Sequence, residues 1–279
     1  MLVIKLMGGM GNQMFQYAIG KSLSIKYNLP FVLDLSFLKR RDLGSNFTYR
    51  EFDLDHFNID ENSFVQNIQT EDFVKIVECK FEYNEGVEQT ISNSNNKNFY
   101  LDGHWQSPKY FGDFEKEIKQ DFSLKKSIDE KTENRITDLL IDIKHNESVM
   151  VNVRRTDYLN NNFHGVMLED YFTKAKEIIE SKINKPKYFI FSDDIEWCKN
   201  NIKFDNMFIV DHTYKGNKFE IYLELMKSCK HFIIPNSTFA WWAAWLSDNK
   251  NKIVVCPQKW FTESKINTND LIPSNWIRI

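Results

Sequence analysis

The residues of this chain best suited to chemistry lie in short polar clusters, each directly after an apolar run. In Val151-Asn152-Val153-Arg154-Arg155-Thr156-Asp157 a strand-like stretch runs straight into two arginines and an acid. Guanidinium groups stay charged and grip phosphate oxygens in pairs. Such a cluster can hold positive charge in place for a diphosphate before its bond breaks, with Asp157 orienting one arginine or meeting a ribose hydroxyl. A surface ion-pair cluster, usually worth little, is the other reading. The position at a strand end in an alternating α/β pattern favours a ligand.

Two further clusters share this placement. Phe191-Ser192-Asp193-Asp194 offers adjacent carboxylates for a metal or for ribose hydroxyls, or else Ser192 or Asp193 caps the next helix. Pro235-Asn236-Ser237-Thr238 follows the apolar run His231 to Ile234 and opens a helix, so Asn236, Ser237 and Thr238 supply donors where an anion is favoured. Trp241, Trp242 and Trp245 fit a helix packed onto a sheet. Near the start, Gly8-Gly9-Met10-Gly11-Asn12-Gln13 links a strand to a helix: either backbone approaches a ligand here, or this is a tight turn with Asn12 as cap. Asp34 stands where the ribose-binding acid of a dinucleotide fingerprint belongs, but Met14 replaces the third glycine, so the nicotinamide reading is weak. His104, beside Trp105 and Gln106, and His164, beside Gly165, are candidate general bases or ordinary structural histidines.

These clusters need elements to position them. Leu2 to Leu6 reads as a buried strand, Asn12 to Tyr27 as a helix with Phe15, Ala18, Ile19 and Leu23 on one face, and Phe31 to Leu33 as a second strand. Ser36 to Asp60 looks irregular. The pattern suggests a helix over 62–78, a strand over Asn98–Leu101, and a helix over Pro108–Phe122. The charged stretch 123–147 suggests a solvated helix over 127–144 and a domain boundary. Beyond it come strands at Val149–Val153, Tyr188–Phe191, Met207–Val210, His231–Ile234 and Ile253–Cys256, the last one expected. Helices alternate with them at Leu168–Ile183, from Asp194, over Phe219–Cys229 and from Asn236, which implies a second parallel sheet.

Bulk properties remove several classes. The net charge of −3 argues against nucleic acid as a partner, and the basic run Lys39-Arg40-Arg41 is surrounded by acids. Four cysteines without a C-x-x-C pair suggest neither a zinc ribbon nor a thiol–disulfide site; Cys229 and Cys256 read as small hydrophobes in a reduced chain. No apolar run is long enough to span a bilayer, so no transmembrane segment is expected. The glycosylation sequons at Asn46, Asn146 and Asn236 read as chance matches, since no secretory signal precedes them.

Several segments together resemble the bacterial α-1,2-fucosyltransferases, glycosyltransferase family eleven: Gly8-Gly9-Met10-Gly11-Asn12-Gln13-Met14-Phe15-Gln16-Tyr17-Ala18, Gly103-His104-Trp105-Gln106-Ser107, Arg154-Arg155-Thr156-Asp157, Phe191-Ser192-Asp193-Asp194 and Asn236 to Trp242, with a closing Pro257-x-x-Trp260-Phe261. They occur in family order across nearly the whole chain. The resemblance implies an α/β, GT-B-like fold of two facing Rossmann-like domains with parallel sheets: 1–135 on the acceptor side, 136–279 binding the donor. It implies an inverting transfer of L-fucose from GDP-β-L-fucose to O2 of a terminal galactose, on an oligosaccharide or lipid-linked glycan, with no metal or other cofactor. Arg154 would contact the diphosphate, supported by Arg155 and Asp157. Ser192, Asp193, Asp194, Asn236, Ser237 and Thr238 would contact the nucleotide. Gly11, Asn12, Gln13, His104, Trp105 and Gln106 would face the acceptor or cleft.

One departure stands out: the usual leading His of the H-x-R-R-x-D block is Asn152, which cannot act as a base near neutral pH. The base is then Asp157 or His164. The expected location is the cytoplasm, with the inner face of the membrane as a peripheral site. Two other readings remain: a metal-dependent GT-A-type transferase using Asp193 and Asp194, and a non-catalytic sugar-binding protein.

Overall fold

The computed structural model describes residues 1–44, 47–95, 97–125, 130–159, 161, 163–263 and 265–279, with the backbone alone at 130–132. Asn46 of the first sequon and the expected helix start at 127–129 lie outside the described residues. Two compact units divide the chain: Met1–Lys125 with Asn267–Pro273, and Lys126–Ile266 with Ser274–Ile279.

In the first unit, β1 (Leu2–Lys5) is the middle strand, and Leu2, Val3 and Ile4 are wholly buried. The glycine turn leads into α1 (Met10–Tyr27), which buries Met14, Phe15, Ala18 and Ile19. Burying each large side chain stabilises by roughly 1.5–3 kcal/mol. Asn28 ends the helix in the left-handed conformation, which asparagine tolerates better than most residues. Then come β2 (Phe31–Asp34), β3 (Phe64–Val65), β4 (Val74–Val77), α2 (Gly86–Asn93) and β5 (Phe99–Asp102). The sheet order is β3-β2-β1-β5-β4, parallel throughout, with Leu2 registered against Phe31 on one side and Phe99 on the other.

Two expectations fail in this unit. Residues 62–78 hold a short 3-10 turn and the strands β3 and β4, not a helix. Val74-Lys75-Ile76-Val77 is β-branched at three of four positions and pairs with β5 at the sheet edge. Residues 108–122 are two 3-10 turns followed by α3 (Glu115–Asp121), broken at Gly112.

The second unit runs α4 (Glu130–His145), β6 (Ser148–Val153), α5 (Glu169–Glu180), β7 (Lys187–Ser192), α6 (Ile195–Asn201), β8 (Met207–Val210), α7 (Glu220–Lys227), β9 (His231–Ile233), α8 (Thr238–Leu246), β10 (Val254–Cys256) and β11 (Ile277–Arg278). Its parallel sheet has the order β11-β10-β9-β6-β7-β8. So β10 is not the last strand: the two-residue β11, too short to show a period, pairs beside it. Val149, Val151 and Val153 of β6 pack with Phe172, Ala175 and Ile179 of α5. Leu168, expected on that buried face, precedes the helix and is exposed. Cys198, Cys229 and Cys256 are buried free thiols, and Trp241 and Trp242 are core residues. Among the described residues no helix is long and apolar enough to cross a membrane.

Candidate functional site

All six residues of β6 are buried, so the strand delivers the next residues to its carboxyl end on a fixed base. Asn152 donates through Nδ2 to the Phe191 carbonyl at 3.2 Å and ties β6 to β7 there. Asp193 then organises the loop after β6. Its carboxylate accepts from the Arg155 N–H (2.9 Å), the Thr156 N–H (3.2 Å) and the Thr156 hydroxyl (2.6 Å), and it lies 3.2 Å from Arg154 Nη1. Asp194, rather than Ser192 or Asp193, caps α6, accepting from the Trp197 N–H at 3.1 Å. Ser192 Oγ accepts from the Asp194 N–H at 2.8 Å.

The two arginines differ. The Arg155 side chain is 12% exposed, pairs with Asp194 and lies over the Trp197 ring. Arg154 keeps 29% of its side chain exposed, between Asp157 at 2.7 Å and Asp193 at 3.2 Å. Burial pushes the Arg154 pKa down, but Asp193 and Asp157 more than offset this and leave it raised, so the group is a permanent cation. Three carboxylates against two guanidiniums leave the cluster with one formal negative charge.

His164 lies beside this cluster. Its ring stacks on Tyr158 with centroids 4.5 Å apart and planes 8° apart. The guanidinium of Arg154 is 5.7 Å from the centroid of the same Tyr158 ring. Burial lowers the His164 pKa, Arg154 lowers it further, and Asp157 opposes both. The imidazole is therefore neutral near pH 7, and its buried Nδ1 takes no hydrogen bond among the described residues. Asn236, expected as a phosphate donor, faces inward. Its Nδ2 donates to the carbonyls of His164 (2.6 Å) and Trp260 (3.0 Å), with Gly165 at 3.4 Å, and the Tyr158 hydroxyl donates to the Asn236 carbonyl at 3.2 Å. Ser237 is the N-cap of α8 without a side-chain cap bond, and Thr238 opens that helix. Tyr158 and Trp197 escaped the reading of the sequence. Tyr158 directly follows Asp157, and Trp197 stands three positions after the cap Asp194, the only local signals either gave.

In the first unit the expected residues form a second polar group. Gln13 is fully buried: Nε2 donates to the carbonyls of Gly8 (2.9 Å) and Glu51 (2.8 Å), and Oε1 accepts from the Asp53 N–H (2.9 Å). Gln106 Nε2 donates to Asn12 Oδ1 at 2.9 Å, which joins two distant motifs. Gly9, not Asn12, caps α1. Gly8 has φ +77°, and a Cβ there would lie 2.3 Å from Asn12 Nδ2, so glycine is required. Gly11 is buried within α1. Glu78, which sequence reasoning missed, accepts from the N–H groups of His104 (2.7 Å) and Trp105 (3.0 Å) and holds Trp105 at φ +56°. His104 is half-buried and Trp105 wholly buried. Asp34 accepts from Ser36 N–H and Oγ and from the Tyr100 hydroxyl, so its carboxylate is engaged and the nicotinamide reading loses its ribose acid. Among the described residues no group of three or more His, Cys, Asp or Glu could hold a metal.

Comparison with known proteins follows the same lines. The chain is 33% identical to an alpha-1,2-colitosyltransferase of Escherichia coli, over 100% of this chain and 98% of that one. It is 30% identical to the O-antigen biosynthesis glycosyltransferase WbnK of Escherichia coli, over 98% and 99%. Among solved structures, NodZ alpha-1,6-fucosyltransferase soaked with GDP-fucose superposes with a TM-score of 0.52 at 14% identity, covering 88% of this chain and 91% of that one. At that identity the likeness concerns the fold, which is two-domain, α/β and GT-B-like. The description "Glycosyl transferase family 11" matches residues 1–279, and the chain belongs to that family and is a glycosyltransferase.

Proposed function

We propose that this chain is an inverting α-1,2-fucosyltransferase that moves L-fucose from GDP-β-L-fucose to O2 of a terminal galactose in an O-antigen unit or other surface glycan, at the cytoplasmic face of the membrane. The observation that carries the reading is Arg154, a permanent, partly exposed cation at the carboxyl end of β6 in a parallel sheet. The second unit takes the donor. As the acceptor O2 attacks fucose C1 and the bond from C1 to the diphosphate oxygen breaks, Arg154 and the positive dipole end of α8, which Ser237 caps and Thr238 opens, receive the charge leaving with GDP. The O2 proton passes to His164, whose neutral imidazole suits a base. Asn236 holds the His164 backbone. Asp193, Asp194, Ser192 and Arg155 form the frame beneath Arg154. The first unit takes the acceptor sugar, with His104, Asn12 and Gln106 as its polar contacts and Gly11, Gln13 and Trp105 as their support. No metal takes part, since Asp193 and Asp194 already serve cationic and N–H partners.

A second reading has one observation in its favour: the 33% identical relative carries the name colitosyltransferase. Colitose is L-fucose without the 3-hydroxyl, so the same site would serve either sugar unless it hydrogen-bonds O3. Turnover of GDP-fucose and of GDP-colitose against a panel of galactosides, with linkage read by NMR, tests both. The expected product is Fuc-α-1,2-Gal; preference for the deoxy donor moves the assignment to colitose. Release of GDP with neither donor removes fucose and colitose as the transferred sugars.

A further inference from the structure

Arg154 carries more negative partners than a group awaiting a diphosphate needs. Asp193 is a fixed one. It accepts from two backbone N–H groups and one hydroxyl of the Arg155–Thr156 segment, and its side chain is 13% exposed. Asp157 is different in kind. It lies three residues after Arg154 on the turn beyond β6, is 25% exposed, and sits at 2.7 Å from Arg154 Nη2, the shorter of the two ion pairs. A carboxylate and a phosphate offer a guanidinium the same fork of two oxygens, so they compete for the same N–H groups.

We propose that Asp157 is an intramolecular stand-in for the donor's diphosphate: it holds the Arg154 fork in orientation while the site is empty and yields it when a nucleoside diphosphate arrives. This rests on the reading of Arg154 as the diphosphate contact. Asp157 is then a positioning residue that acts through Arg154, and it has two opposed effects. It preorganises the guanidinium, and it lowers apparent donor affinity, because only the fraction of molecules with Arg154 released can bind. It also gives GDP a route out after transfer, since the returning carboxylate displaces the phosphate.

The test is calorimetric titration of GDP into the wild-type protein and into Asp157→Asn and Asp157→Ser, with steady-state kinetics on GDP-fucose. Loss of the competing charge tightens GDP binding about fivefold or more and lowers the KM for the donor, while kcat falls because GDP leaves more slowly. In an Arg154→Ala background the Asp157→Asn change no longer tightens GDP. Thermal melts confirm that both single variants fold, and two different side chains guard against a defect peculiar to one. Weaker or unchanged GDP binding in both variants overturns the proposal, since a purely structural Asp157 predicts that result. Failure of the wild-type protein to bind GDP overturns the diphosphate reading itself, and this proposal with it.

Discussion

The guanidinium of Arg155 lies 4.1 Å from the centroid of the Trp197 ring, with its Nε 3.3 Å from Asp194. The side chain is thereby committed to α6, whereas its neighbour Arg154 retains exposed surface. Adjacent arginines in one motif thus have different duties. Arg155→Ala should lower stability by about 1–2 kcal/mol through lost stacking and pairing. Arg154→Ala, which leaves Asp157 and Asp193 without a shared cation, should lower stability by about 1 kcal/mol as well, but cost on the order of 100-fold in kcat/KM. Denaturant unfolding and kinetics on the two variants separate these effects; a near-normal rate for Arg154→Ala removes it from the site.

Asn236→Ala strips the carbonyls of His164 and Trp260 of a buried donor. A loss of about 2–3 kcal/mol is expected, as for other buried groups left unsatisfied. The loop carrying His164 should loosen with it, so kcat should fall even where the protein remains folded. Thermal unfolding together with kcat at low temperature measures both.

Two histidines should make stability depend on pH in one direction. Burial lowers the pKa of His164, and burial likewise lowers that of His231 despite its pairing with Glu147. His231 Nδ1 also accepts the Ile253 N–H at 3.1 Å, which a proton there would break. In each case the unfolded chain takes up the proton first. Stability from these groups is therefore full above the ordinary imidazole value of about 6.5 and is lost as pH falls below it toward the depressed folded values. Melting temperatures measured across that window should drop on the acid side, and less so in His231→Gln.

Gly103→Ala should destabilise the first unit by about 1–3 kcal/mol. A Cβ at this position would lie 2.4 Å from Glu78 Cβ and 2.9 Å from the Trp105 ring, and neither atom is the far end of a flexible chain. An unchanged unfolding midpoint would show that the Glu78 cap on Trp105 tolerates displacement.

Removal of divalent metals by EDTA should leave GDP-fucose turnover intact. Loss of activity restored by manganese would transfer the chemistry to Asp193 and Asp194.

Much of the fold is legible because the strands that matter most, Tyr188–Phe191 and, but for Asn152, Val149–Val153, are apolar runs buried on both faces. Pairs such as Phe64–Val65 and Ile277–Arg278 are too short to show any period, and β4 exposes two of its four side chains at a sheet edge. Within the candidate site, the strand-end rule brings Arg154, Asp157 and Asp193 together. What it cannot reveal is direction. The inward turn of Asn236 depends on carbonyls at 164 and 260, and the burial of Arg155 depends on a tryptophan more than forty positions away. The engagement of Asp34 with Tyr100 was equally hidden, although its outcome agrees with the missing third glycine.

Residues 267–273 pack in the first unit, where the Asp270 carbonyl accepts the Ser107 hydroxyl at 2.8 Å, while the following residues supply the edge strand of the second. Neither half is therefore a contiguous piece of chain. On the ribosome, both must wait for residues 267–279 to emerge before either is complete, and a cut anywhere shortly before residue 267 would injure the two together.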